Sequence, residues 1–337
     1  MRLIRYAVRR ILLLVPVLLI ATFIAFFLTR ILPGNPIDRV IPPYISDERR
    51  AEIKREAGLD RPFYEQFAVY LLDLSRGDMG VSYTTAQPVV DDLRARLPAT
   101  FELVVPALSL AIGLGIPIGV FGAINKDHWG DHIGRVLSVL GVSLPIFWLA
   151  LILVYVFFFR LELAPGPLGR LHPLLTAPKR ITGLYTIDAL LRGNWEVFRS
   201  AAANLVLPTI TLGFTAMAPI ARMTRSSMVE ALESEYVRAA ICMGMPKRVI
   251  YLQHAFKNAL LPILTITAAV FGYALGGDVL VEFIFSWPGL GLYAFNAILA
   301  SDFPAIQGFI LLVTGIYVLV YLGVDLATTV LDPRVEF

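Results

Sequence analysis

Residues able to do chemistry are sparse in this sequence, and their spacing excludes most reactions. His128 and His132 stand four apart and could in principle share a metal ion. Two ligands do not close a metal site, and Trp129-Gly130-Asp131 between them reads as an interfacial turn, so no metal is expected. Gly141-Val142-Ser143 is not a G-x-S-x-G elbow and has no histidine within its own apolar run. No G-x-x-x-x-G-K-[ST] stretch is present, so this chain does not cradle nucleotide phosphates by the P-loop route, and no H-E-x-x-H is present either. Cys242 is the single cysteine, which forbids an internal disulfide and reads as a small apolar residue. The expectation is a chain with no catalytic residues and no cofactor of its own.

Ionisable groups inside apolar runs normally mark proton or ion pathways. Here Asp278, Glu282 and Asp325 all lie close to run ends, with none at a centre. Glu282 either orients the following Phe285–Gly291 segment (FSWPGLG) or sits near the mouth of a path; the plainer reading is an interfacial carboxylate that reaches water. Gly272, Gly276, Asp278 and Glu282 are the candidates for a path or gate. The lack of central charge argues against a proton- or sodium-coupled carrier working alone.

The largest polar block between two apolar runs is Glu235–Pro262, and it reads as helix, break, helix. Ser234 is placed to cap the first helix by accepting an orphan backbone N–H. Gly244 tolerates left-handed dihedrals and Pro246 cannot continue the same ladder. Lys247 to Asn258 then rebuilds a basic amphipathic helix leading into the apolar run at Leu260. A short helix with small residues on one face suits docking into another protein's groove; the alternative is a solvated loop between two membrane helices.

These elements require a membrane to hold them. Of 337 residues, 57% are apolar and 16% charged, the net charge is +3, and mean hydropathy is positive. That composition is not that of an ordinary soluble domain, and no basic stripe interleaved with aromatics points to nucleic acid. Six runs can cross about 30 Å of hydrocarbon: Ile11–Ile31, Phe101–Ile124, Ile133–Phe159, Ala201–Ala221, Leu260–Phe285 and Phe303–Val330. The first follows Arg2, Arg5, Arg9 and Arg10 and has no small-x-small cleavage site, so it reads as a retained helix rather than a signal peptide. Six spans put both termini on one side. Once the over-long Arg30–Pro98 interval is set aside, the loop charges place that side in the cytoplasm, although Arg160, Arg170, Lys179, Arg180, Arg192 and Arg199 fall opposite. Within Arg30–Pro98, Ser46-Asp47-Glu48 caps a charged helix ended by Gly58. Pro62 then starts an amphipathic helix with Phe63, Phe67, Tyr70, Leu71 and Leu74 on one face, ending at Gly77. Gly115-xxx-Gly119 and Gly272-xxx-Gly276 let helix backbones approach closely in lipid.

The polar block also resembles the cytoplasmic EAA loop of bacterial ABC importer permeases. Ala239, Ala240 and Gly244 fall on the Ala, Ala and Gly of that pattern, while Arg238 stands in place of its Glu, and His254, Phe256 and Lys257 in place of its Ile, Leu and Pro. The dipeptide/oligopeptide/nickel branch is more similar. Tyr236, Val237, Arg238, Ala240 and Gly244 fit the first half of its motif, and His254, Ala255, Lys257, Asn258, Ala259, Leu260 and Pro262 the second. LPGNP at Leu32–Pro36, FSWPGLG, and Leu331-Asp332-Pro333-Arg334 extend the resemblance over nearly the whole chain.

The resemblance implies an all-α integral membrane protein of six transmembrane helices with the type I ABC importer permease fold and a sizeable extracytoplasmic insertion after helix 1. It divides the chain into 1–31 (cytoplasmic tip and helix 1), 32–98 (extracytoplasmic cap), 99–330 (five-helix core with the coupling loop 223–261) and the tail 331–337. It implies a homologous second permease, two ATPase subunits that bind ATP and Mg, an extracytoplasmic binding protein and a bacterial or archaeal plasma membrane. Tyr236, Val237, Ala239 and Ala240 would dock the ATPase, Arg238 would add a polar contact and Gly244 the turn, with Glu235, His254 and Asn258 completing the coupling set. Di- or oligopeptides are the expected cargo; nickel chelates, glutathione-like peptides and oligosaccharides are alternatives within the branch, and a stand-alone channel or secondary carrier is the alternative outside it.

Overall fold

The computed structural model describes residues 2–31, 48, 61–276 and 279–331. LPGNP, the charged segment after Ser46 (Glu48 excepted), Asp278 and Asp332–Arg334 lie outside the described residues. The described residues form helices and no strand beyond one isolated bridge, Val81 to Pro88. In order they are α1 (Arg2–Ile31), α2 (Phe63–Ser75), α3 (Val89–Ile124), α4 (Trp129–Ser143), α5 (Ile146–Arg160), α6 (Tyr185–Leu191), α7 (Trp195–Leu232), α8 (Glu235–Cys242), α9 (Lys247–Leu275), α10 (Val279–Ile284), α11 (Leu290–Ala300) and α12 (Phe303–Leu331).

Five of these are long and apolar enough to cross a membrane: α1, α3, α7, α9 and α12. α7 is the central one: 56% of its apolar window is buried within the chain, against 6% for α12, most of whose side chains are only half-buried. α3 lies along α7 for most of its length, α1 lies on α12, and α9 packs on α7 and α12. With lipid tails as apolar as leucine, close backbone approach drives such packing, and α3 supplies it. A Cβ at Gly115 would stand 3.1 Å from the Met217 carbonyl, and one at Gly119 only 2.6 Å from that of Ala221. Gly119→Ala is therefore expected to force α3 and α7 apart and to cost ~1–3 kcal/mol, read as a lower unfolding midpoint of the detergent-solubilised chain; an unchanged midpoint would refute the tight-packing account.

The third and fifth runs differ from their expected form. The third is two helices, α4 and α5, that turn through 102°. Pro145 disfavours helical dihedrals at Leu144, which is extended (φ −77°, ψ 124°), and the proline then starts α5. The fifth run does not continue to Phe285. α9 ends at Leu275 and Gly276, and Glu282 belongs to the separate α10. α11, which the apolar runs did not reveal, follows the Trp287-Pro288-Gly289 turn and buries Leu290, Tyr293, Ala294 and Ala297.

α2 forms where expected, with Pro62 before its first turn and Gly77 in the left-handed region (φ 81°) after it. Its aromatic face lies against α1. Phe63, Phe67 and Tyr70 bring their rings within 5.3–5.4 Å of the Phe26 ring.

Candidate coupling site

α8 owes its position to three features. It leaves α7 after only Glu233 and Ser234, so the two helices share a corner. At its C-terminus Gly244 adopts φ 72°; its N–H donates to the Ile241 carbonyl while the Met245 N–H donates to that of Ala240. This paired pattern closes a helix on a left-handed residue, where only glycine is unstrained. A Cβ at Gly244 would meet nothing within 4 Å, so the requirement is conformational rather than steric. Ser234 occupies the N-cap, but its hydroxyl donates to the Ala231 carbonyl at 2.5 Å instead of accepting from the first turn. The expected cap bond is absent because the last carbonyls of α7 compete for the same hydroxyl.

The inner face of α8 is a small apolar keel. Val237 (0% exposed) and Ala240 pack on Ile250, with Leu232, Met245 and Tyr251 around them. Val237 and Ala240, expected to dock a partner, are turned into their own chain, where they set the height of the helix. Tyr236, Arg238, Ala239, Ile241 and Met243 are exposed, together with Glu235, whose carboxylate pairs with Arg238 at 3.0 Å. The two halves of the polar block also touch. The Asn258 amide donates to the Tyr236 hydroxyl at 2.9 Å and to the His254 carbonyl at 2.7 Å. Asn258 lies just past a stretch of wide π-type turns, Ile250–Phe256, which contains His254; such turns mark places where a helix is locally under-wound.

An ion-pair cluster the sequence did not single out lies behind this corner. Asp131 in the first turn of α4 is buried; Arg225 of α7 donates from Nε to its Oδ1 at 2.5 Å and from Nη2 to its Oδ2 at 2.7 Å. Arg135 stands 3.2 Å away and the Asp127 N–H donates at 3.0 Å. Lys126 and Glu233 form a second, exposed pair between the same elements. The histidines here have other partners: His128 Nδ1 meets the Lys126 carbonyl and His132 Nδ1 accepts from Arg135.

The opposite end of the bundle is tied by buried charges. Glu282 is buried, not water-facing. Its Oε1 accepts from the Thr100 hydroxyl at 3.0 Å and its Oε2 from the Leu292 N–H at 2.8 Å, so the carboxylate caps α11 where the helix dipole favours it. Thr100 in turn accepts from the Leu290 N–H, and the Trp287 indole donates to the Ala99 carbonyl. Of its three sequence readings, this geometry fits orientation of FSWPGLG and not a carboxylate that reaches water. Glu102 and Arg170 form a second buried pair (2.8 Å from Nε), with the guanidinium 3.6 Å from the Tyr185 ring centre and donating to the Gly183 carbonyl. Thr186 donates its N–H and hydroxyl to the other Glu102 oxygen. Burial works against ionisation of Asp188, but the Thr182 hydroxyl and the N–H groups of Thr182, Ile181 and Gly183 outweigh it and hold the carboxyl down at about 2. Gly272 abuts the Tyr317 ring and Gly276 ends α9, so these two small residues lie at helix contacts.

This architecture has relatives. Residues 115–337 match the family described as “Binding-protein-dependent transport system inner membrane component”, and residues 3–104 match its N-terminal companion. The chain is 42% identical to the “Probable D,D-dipeptide transport system permease protein DdpB” of Escherichia coli (strain K12), over 93% of this chain and 92% of that one. It is 40% identical to the dipeptide transport system permease protein DppB of Alkalihalophilus pseudofirmus over 98% and 99% of the two chains. It is 30% identical to the glutathione transport system permease protein GsiC of Escherichia coli O6:H1 over 98% and 99%. A multi-span all-α chain with a short helix stood on a keel at one end, matched over nearly its whole length, is a type I importer permease: it belongs to the family of binding-protein-dependent transport system inner membrane components.

Proposed function

We propose that this chain is one of two homologous permease subunits of an ATP-driven importer that carries di- and oligopeptides into the cell. The exposed face of α8 docks into a groove of an ABC ATPase subunit, and two such ATPases bind ATP and Mg and do all the hydrolysis. An extracytoplasmic binding protein delivers the peptide at the opposite end. Both termini, the 125–128 corner and α8 lie in the cytoplasm; 32–98 and 161–194 lie outside. Gly272 and Gly276 on α9 remain candidates for a path or gate, as does Asp278; Glu282 enters as the anchor of α11.

The single observation that carries this reading is the division of α8 into a buried keel (Val237, Ala240) and a free face (Tyr236, Arg238, Ala239, Ile241). A solvated loop needs no keel. ATP drives transport only through different affinities for the outward- and inward-open states, so the free face must ride on a helix that moves as a body. The peptide cargo is supported by the dipeptide names of the relatives at 42% and 40% identity, against 30% for the glutathione system. The test is to co-purify the assembly, reconstitute it with its binding protein and measure which ligands stimulate ATP hydrolysis and uptake. Stimulation by dipeptides is expected. Stimulation by a nickel chelate or a sugar and by no peptide would overturn the cargo, and uptake by the purified chain alone would overturn the mechanism.

A further inference from the structure

We infer that Asp131 is a positioning residue that clamps the first arm of the bent span, α4, to α7, so that displacement of α8 reaches the bent span through the Asp131–Arg225 pair. The inference rests on the proposed function and adds to it the route by which motion leaves the coupling helix.

Only Glu233 and Ser234 separate α7 from α8, so any force on α8 levers the last turns of α7. There α7 is fastened to α4 and the corner before it at two levels. Arg225 holds both oxygens of buried Asp131, and Lys126 meets Glu233 about two turns further along α7. The joint has no slack. A Cβ on Gly122 of α3 would lie 3.3 Å from Asp131 Oδ1, and one on Gly141 of α4 only 2.7 Å from the Ala218 Cβ of α7. A buried ion pair is weak evidence for stability, since well-packed apolar residues serve as well, but it fixes geometry, because either partner alone is an uncompensated charge. The Asp131 side chain is 0% exposed and accepts from Arg225 and the Asp127 N–H, with Arg135 beside it. By contrast, α9 meets α8 through the small Val237–Ala240–Ile250 contact and the exposed Tyr236–Asn258 bond, across the under-wound 250–256 turns. α9 also packs on the last turns of α7, where Met228 and Ala231 meet Ala255, Ala259 and Ile263; α8, α7 and α4 are the branch fixed by buried charge, and bending of the third span concentrates at Ser143–Pro145.

The test uses the whole transporter, with binding protein, in proteoliposomes. In a Cys242→Ser background, Lys126→Cys with Glu233→Cys is bridged by a short bis-methanethiosulfonate reagent in place of the ion pair. Bridged and unbridged transporters are expected to take up peptide equally, because α4 and α7 move as one body; abolition of uptake by the bridge shows that they slide, and overturns the inference. Asp131→Asn, nearly isosteric, is then expected to leave ATPase subunits bound and ATP hydrolysis responsive to binding protein, while peptide carried per ATP falls by about fivefold or more. A purely structural role would lower the amount of assembled transporter and leave that ratio intact, which also overturns the inference. Should the Asn variant fail to assemble, the bridging result decides by itself. If the unsubstituted transporter shows no ATP-driven uptake, the proposed function falls, and the route with it.

Discussion

Replacing Arg170 with alanine is expected to destabilise the chain by ~3–5 kcal/mol, the cost of leaving a buried carboxylate without its partner. Glu102 sits in the outer half of α3, at the start of its apolar run, and Arg170 closes onto it from the segment between α5 and α6. Once the guanidinium is gone, Glu102 keeps only the Thr186 N–H and hydroxyl on Oε1; its Oε2 loses every donor the structure gives it. The Gly183 carbonyl and the Tyr185 ring face lose their contact as well. The measurement is a thermal unfolding midpoint in detergent, supported by the yield of monodisperse protein. Glu102→Gln combined with Arg170→Met removes both charges at similar volume and should recover much of the loss, since the penalty comes from the orphaned ion rather than from the lost attraction. An Arg170→Ala chain as stable as the original, or a double variant no better than the single, would show that water reaches Glu102 and that the pair is ornamental.

Ile241→Glu should have the opposite signature, a well-folded chain that no longer works. Ile241 is 57% exposed and lies at the edge of the free side of α8, one turn on from Val237 of the keel. An isoleucine held in water serves nothing within its own subunit, but an apolar anchor in a docking face is worth ~2 kcal/mol or more, about thirtyfold in affinity. The variant is expected to insert and unfold as the original does, to bind ATPase subunits about thirtyfold less tightly, and to lose peptide uptake in proportion. Val237→Asp, made on the keel, should instead lower stability together with ATPase binding. If Ile241→Glu leaves ATPase co-purification and uptake intact, the exposed side of α8 is not where the ATPase sits.

The pattern of what was legible in the sequence has physical reasons. Five straight spans could be read because twenty apolar residues have few alternatives to crossing a bilayer, and α8 could be read because Gly244 and Pro246 punctuate it. Which side of α8 faces outward was not legible. The helix is only eight residues long and small residues occur on both faces, so Ala239 and Ala240 look alike until the position of Ile250 separates them. The buried carboxylates were missed or misplaced for a related reason. Glu102, Asp131 and Asp302 lie at the ends of apolar segments, where a charge normally reaches water; their partners Arg170, Arg225 and Ser82 are distant in sequence. Asp131 had one local sign, its place in the first turn after His128, where an acidic residue faces free backbone N–H groups. α11 was invisible because eleven residues are too few to span and the Trp287-Pro288-Gly289 turn reads only as a break.

The 102° turn between α4 and α5 changes what this span can transmit. Two fifteen-residue arms, each about 22 Å long, reach from tip to tip only about 28 Å when joined at that angle, close to the hydrocarbon thickness of a bilayer. If each arm slopes equally, neither stands upright, and the knee between them juts sideways by roughly 17 Å from the line joining the tips. A straight rod passes a push along its length, whereas a knee converts it into a change of girth. Flexing at Leu144 would alter the area this protein occupies in the plane of the membrane, so its working cycle should respond to lateral pressure in the surrounding lipid as well as to nucleotide.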